Sequence, residues 1–120
     1  MFQEILQGDS GGGFEPKLLW TNPNPNTAMN DGTTINVNTS GYDELIVICK
    51  YTITNEKKQR TLINKNDDNA SWMISISVQG LSRNITNWTN ETITFSIGFN
   101  QVGTENTSFC IPLQFYGIKN

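Results

Sequence analysis

The chain has 120 residues, a net charge of −3 and no histidine; only 16% of it is charged, while 16 residues are Asn, 14 are Thr and 8 are Ser. That length supports one domain with one modest core. The lack of His excludes Ser-His-Asp and Cys-His catalysis and removes the commonest metal ligand, and 8 basic against 11 acidic residues suit a nucleic-acid backbone poorly.

Met1 to Gln7 has no basic stretch and no long apolar run, so it does not read as a secretory signal. No window reaches the ~18 apolar residues of a membrane-spanning helix. Phe2, Ile5 and Leu6 stand at the i, i+3, i+4 spacing of one helix face. Gly8-Asp9-Ser10-Gly11-Gly12-Gly13 follows and reads as a flexible joint. Residues 1–13 are therefore expected to form an attachment arm ending in a short apolar peg, or else a frayed terminus, ahead of one domain over 14–120.

Leu18-Leu19-Trp20 is a short apolar run stopped by Thr21-Asn22-Pro23-Asn24-Pro25-Asn26, where alternating Pro and Asn block a helix. Thr33 to Val37 alternates, with Ile35 and Val37 on one side, and Ser40-Gly41-Tyr42-Asp43 signals a turn. Glu44 to Thr54 is the strongest strand. Leu45, Val47, Cys49 and Tyr51 face one way while Ile46, Ile48 and Ile53 dominate its run otherwise, which predicts a central strand covered on both sides, at least in its first half. Arg60 to Ile63 reads as a brief return strand, followed by a loop over 64–69. Trp72, Ile74, Ile76 and Val78 alternate against Met73, Ser75, Ser77 and Gln79. Arg83 to Trp88 is a weaker strand. Over Thr92 to Phe99, Ile93, Phe95, Ile97 and Phe99 are predicted to form an inward stripe, and 100–106 a loop. Ser108 to Ile118 closes the chain with Phe109, Ile111, Leu113 and Phe115 on one face, and Pro112 marks an edge or a bulge. About eight short strands with turn chemistry between them predict an all-β fold, an antiparallel β-sandwich that is jelly-roll-like.

Chemistry is sparse. Cys49 and Cys110 lack CxxC spacing, so zinc is excluded and two buried, reduced thiols are expected; a disulfide needs their strands to be neighbours. Six N-x-S/T sequons read as composition. Asp43 and Glu44 point to opposite faces of a strand and cannot act as an acid/base pair. Asn66-Asp67-Asp68-Asn69 offers oxygens to a hard cation but lacks the spaced calcium-loop pattern, so no metal is predicted. Neither an enzyme nor a cofactor is expected.

Among the tryptophans, Trp20 and Trp72 lie in apolar stripes and read as core. Trp88 sits in a polar segment beside a turn and is the candidate platform for stacking on a sugar, with Asp67, Asp68 and Asn87 bonding its hydroxyls. The competing reading is that Trp88 packs at a strand end or a subunit interface.

Leu18-Leu19-Trp20-Thr21-Asn22-Pro23-Asn24-Pro25, and Ser40-Gly41-Tyr42-Asp43 running into Leu45-Ile46-Val47, resemble the start of small β-sandwich domains in tail and baseplate proteins of phages of Gram-positive bacteria. Ile111-Pro112-Leu113-Gln114-Phe115-Tyr116-Gly117-Ile118-Lys119 is similar to their closing strand, and Arg83 ahead of the strand at Thr92 to Phe95 also fits. The resemblance covers 18–119. It implies a virion structural protein of the tail-fibre-head or receptor-binding type, made in the host cytoplasm. Such a head is a homo-oligomer, most often a trimer, that touches other virion proteins and host surface polysaccharide, with no nucleic acid and no membrane insertion. In those proteins the domain ends a long chain, whereas here it follows only the arm. That departure opens a second reading, a capsid or tail decoration protein anchored through Phe2, Ile5 and Leu6. A third is an isolated carbohydrate-binding module.

Overall fold

The computed structural model describes residues 15–67, 71–77 and 79–119. The alternating segments form β1 (Lys17–Thr21), β2 (Thr34–Asn36), β3 (Glu44–Thr52), β4 (Lys58–Asn64), β5 (Trp72–Ile76), β6 (Leu81–Trp88), β7 (Thr92–Asn100), β8 (Glu105–Asn106) and β9 (Phe109–Ile118). They make two antiparallel sheets packed face to face. Sheet A has the order β1-β9-β3-β4 and sheet B the order β2-β7-β6-β5, with β8 beside β7. The ninth strand is the two-residue β8, inside the stretch expected to be a loop. The pairing is jelly-roll-like in its outer wraps, β1 with β9 and β2 with β7, while β3–β4 and β5–β6–β7 are hairpins.

β-branched and aromatic residues at every second position give each strand one apolar face, and burying those faces against each other builds the core. Leu45, Val47 and Cys49 meet Ile74, Ile76, Ile85, Ile93, Phe95, Ile111 and Phe115 there, all fully buried. β3 is central in sheet A and buried on both faces, as its two-sided apolar pattern implies. Val78 lies outside the described residues.

The alternation breaks at bulges, each of which turns the following residues over. In β6, Ile85 pairs with Phe95 and Asn87 with Thr94, so Thr86 is an extra residue. Thr86 and Asn87 are both exposed in consequence, and Trp88 turns inward. In β7, Phe95 and Gly98 pair with Ile85 and Arg83, so Ser96 and Ile97 together oppose Asn84. The expected inward stripe therefore stops at Phe95: Gly98 takes the inward place, and Ile97 and Phe99 are half-buried. In β9, the step from Gln114–Ile48 to Pro112–Cys49 leaves Leu113 extra. Pro112 thus marks a bulge in a central strand, and Leu113 packs with the outward cluster of Ile46, Ile48 and Ile118 rather than beside Phe115.

The edges β4 and β5 are joined across the two sheets. Thr61 Oγ1 accepts from Ser75 N at 3.2 Å and donates to Ser75 O at 3.4 Å. Gln59 Nε2 donates to Ser77 Oγ at 2.9 Å, and Gln59 Oε1 accepts from Ser77 N at 3.1 Å.

Candidate functional site

One end of the sandwich gathers the segment before β3, the β4–β5 loop and the β6–β7 turn. Their anchor is Thr39, which is buried. Its Oγ1 donates to Thr89 O at 2.9 Å and accepts from Trp88 Nε1 at 3.1 Å, while its N–H donates to Asn90 O at 2.8 Å. Trp72 Nε1 donates to Asn64 O at 2.8 Å, and the Trp72 and Trp88 rings meet edge to face with centroids 5.2 Å apart. Lys65 lies 5.7 Å from the centroid of the Trp88 ring and reaches Asn90 Oδ1 at 3.5 Å.

This geometry corrects the reading of Trp88 as a stacking platform. At 5% exposure its ring belongs to the core, with Trp72 at its edge and the Lys65 cation over its ring. The bulge at Thr86 is the cause, because strict alternation from Ile85 would have aimed Trp88 outward. Asn87 is exposed on β6 and Asp67 is exposed on the β4–β5 loop. The contacts joining that loop to the turn run through Lys65, Trp72, Trp88 and Asn90, not through the predicted pair. Asp68, like Phe2, Ile5 and Leu6, lies outside the described residues. The exposed rim can offer amide and carboxylate hydrogen bonds to a polar ligand, without the buried face of Trp88.

The most concentrated polar chemistry is inside, where the sequence reading did not place it. Arg83 is fully buried and spends all five N–H groups on backbone carbonyls. Nε donates to Cys110 O at 3.0 Å. Nη1 donates to Met29 O at 3.0 Å and Ser96 O at 2.9 Å, and Nη2 to Thr107 O at 3.0 Å and Phe109 O at 2.7 Å. Burial lowers its pKa from the usual arginine value. The signal was available: Leu81, Arg83 and Ile85 alternate, which puts Arg83 on the inward stripe.

Beside it lie Cys49 and Cys110, both buried free thiols. Burial pushes the Cys49 thiol well above its ordinary value, and the neighbouring Cys110 raises it further. Cys110 sits at φ 52° and its thiol approaches Ile74 O at 3.7 Å. A thiol kept neutral in the core is a packing group rather than a nucleophile. Lys50 is likewise buried, held by Asn26 Oδ1 at 2.8 Å, Ile53 O at 3.1 Å and Glu56 Oε2 at 3.3 Å.

The two outward faces differ sharply. In β2, β5, β6 and β7 the only charged residue is the buried Arg83. The outer face of sheet B instead carries Thr34, Asn36, Thr92, Thr94, Asn87 and Asn84, with Thr86 at the bulge and the exposed Met73 opposite Asn84; the Thr34 and Thr94 hydroxyls are 2.8 Å apart. Sheet A carries an apolar row on its outer face, because Leu18 pairs with Tyr116, Tyr116 with Ile46 and Ile46 with Leu62. No family model matches the chain, and neither the curated proteins nor the solved structures yield a match.

Proposed function

We propose that the chain is a structural β-sandwich module of a phage particle, of the tail-fibre-head type, which meets neighbouring virion proteins and host surface polysaccharide through uncharged polar surface. The observation that carries this reading is the ladder on sheet B. Hydroxyls and amides from Thr34, Thr94 and Asn87, and from Asn36 and Thr92, line up there across β2, β7 and β6 at the ~4.8 Å strand spacing, with no charged side chain on those strands facing out. Neutral hydroxyls and amides exchange hydrogen bonds with sugar hydroxyls or with a second polar surface at a lower desolvation cost than charged groups would. Arg83, Lys50 and both thiols, Cys49 and Cys110, are committed to the interior, which suits a building block.

The test is a pull-down of the purified chain on host cell-wall polysaccharide, together with mass spectrometry of purified particles. The expected result is the chain in particles, and saturable polysaccharide binding lost in a Thr86→Arg, Thr94→Arg variant whose melting transition is intact. Presence in particles without polysaccharide binding would move the chain to the decoration reading. Absence from particles overturns the proposal.

A further inference from the structure

The chain has two cysteines, Cys49 and Cys110, and their strands are neighbours. β3 and β9 pair antiparallel, with Cys49 opposite Pro112, Lys50 opposite Ile111 and Thr52 opposite Phe109. Cys110 therefore lies opposite Tyr51, one diagonal step from Cys49, and both cysteines belong to the shared core. The two thiols are close enough to hydrogen-bond. Cys110 is also the only non-glycine with a positive φ among the described residues. A residue in that region costs energy and persists only where its surroundings fix it. Here Arg83 Nε donates to the Cys110 carbonyl at 3.0 Å, and the Cys110 thiol reaches Ile74 O at 3.7 Å.

We propose that Cys49 and Cys110 are a redox-dependent crosslink: two thiols in a reducing compartment, and a disulfide joining β3 to β9 once the chain meets a small disulfide oxidant such as oxidised glutathione. Adjacent strands and touching thiols leave only a short closure to the ~2.05 Å sulfur–sulfur bond. With two cysteines in the chain, no wrong intramolecular pairing competes. The bond closes a loop of about 60 residues, long enough to restrict the unfolded chain strongly. It also displaces little. The five bonds of Arg83 run to backbone carbonyls, not to sulfur, so the crosslink gives up only the weak contact of the Cys110 thiol with Ile74 O. The exchange balances in two steps. One cysteine loses its proton and its thiolate attacks the small disulfide, expelling one small thiolate and leaving a mixed disulfide. The second cysteine, deprotonated in turn, attacks the protein sulfur of that bond and expels the other. The protein gives up two electrons and two protons, and the small disulfide becomes two thiols. Buried neutral thiols do not react in the closed fold, so the step runs through openings that release β9. The proposal does not depend on the virion reading.

The experiment incubates the reduced full chain with oxidised glutathione at several urea concentrations below the unfolding midpoint. Urea is then removed, and intact mass, peptide mapping and thermal melting are measured. The expected product is a monomer lighter by two hydrogens and linked between Cys49 and Cys110. Its melting temperature should rise by about 5 °C or more and return to the starting value with a phosphine reductant. The rate of crosslinking should grow about tenfold or more as urea makes openings frequent. Cys49→Ala and Cys110→Ala should gain no stability under the same treatment. Retention of both thiols where openings are frequent would overturn the proposal, as would a product dominated by glutathione adducts or by links between molecules. An oxidised monomer that melts below the reduced one would overturn it too, because the folded geometry would then not accept the bond.

Discussion

Arg83 and Gly98 stand opposite each other across β6 and β7, and the missing side chain of Gly98 is what lets the Phe109 carbonyl come within 2.7 Å of Arg83 Nη2. A Cβ at 98 would collide with that carbonyl oxygen and lie 2.7 Å from Phe109 Cβ and 2.9 Å from Asn106 O. Backbone cannot swing aside as a flexible side chain can. Gly98→Ala is therefore expected to destabilise the fold by about 2 kcal/mol, read as a lower urea midpoint with an unchanged slope. An unaltered midpoint would mean that the approach is not as close as described.

Replacing Arg83 by Met keeps most of the volume but removes five donors. Exchanging both partners of a buried polar pair for apolar groups can be harmless, but carbonyls cannot be exchanged. Arg83→Met thus strands up to five acceptors and should cost about 3 kcal/mol or more. Arg83→Lys retains charge yet offers three donors from one point, so it should fall between Met and Arg in chemical denaturation.

Thr61 closes one edge of the sandwich by bonding both the N–H and the C=O of Ser75. Thr61→Val preserves shape and leaves both groups unpartnered. The expected cost is about 1–2 kcal/mol. Amide exchange at Ser75 should quicken more than at Ile74, which faces the core.

The raised Cys49 pKa gives an alkaline limb to stability. The unfolded thiol loses its proton near its ordinary value of 9.0, while the buried one keeps it. Above that pH the native state holds more protons than the unfolded state, so stability falls as pH rises, by at most ~1.4 kcal/mol per pH unit for one thiol. Below pH 9.0 the thiol contributes no slope, since both states are protonated. Urea midpoints compared between pH 8 and 10 should drop more in the native sequence than in Cys49→Ala. Equal drops would show that Cys49 is not shielded.

Thr39→Val tests the end of the sandwich where the loops meet. It leaves Trp88 Nε1 and Thr89 O without their buried partner, at an expected cost of about 1–3 kcal/mol. Thr39→Ser keeps the hydroxyl and should recover most of it. Because Trp88 is a core residue, Trp88→Ala should lower the melting temperature and broaden near-UV dichroism, an effect distinct from loss of a surface ligand contact.

Much of this was legible in the residues. Alternation alone located β3 and β5 and named their inward stripes, because each half-buried strand has to sort apolar from polar with period two. What alternation could not reveal is where the period slips. Thr86-Asn87 and Ser96-Ile97 carry no residue type that demands a bulge, yet those insertions decide that Trp88 is core, that Ile97 is not, and that Gly98 faces Arg83. Pro112 did signal its bulge, since it has no N–H to give to a ladder. The apolar row on sheet A was hidden for another reason. Leu18, Ile46, Leu62 and Tyr116 become neighbours only through the register of four strands drawn from distant parts of the chain.

The five carbonyls around Arg83 have a consequence for how the molecule comes apart. They belong to residues 13 to 54 positions away along the chain, on the loop before β2, on β7, and on β9 and the turn ahead of it. No local piece of the sandwich can solvate that guanidinium, and an opening that withdraws any of these carbonyls leaves a cation in a half-dry interior. Peeling off β9 alone, or the loop that carries Met29 alone, is therefore penalised heavily. The charge ties β6, β7 and β9 into one cooperative unit: intermediates with β9 detached should stay unpopulated, and slow-exchanging amides of β6, β7 and β9 should open together.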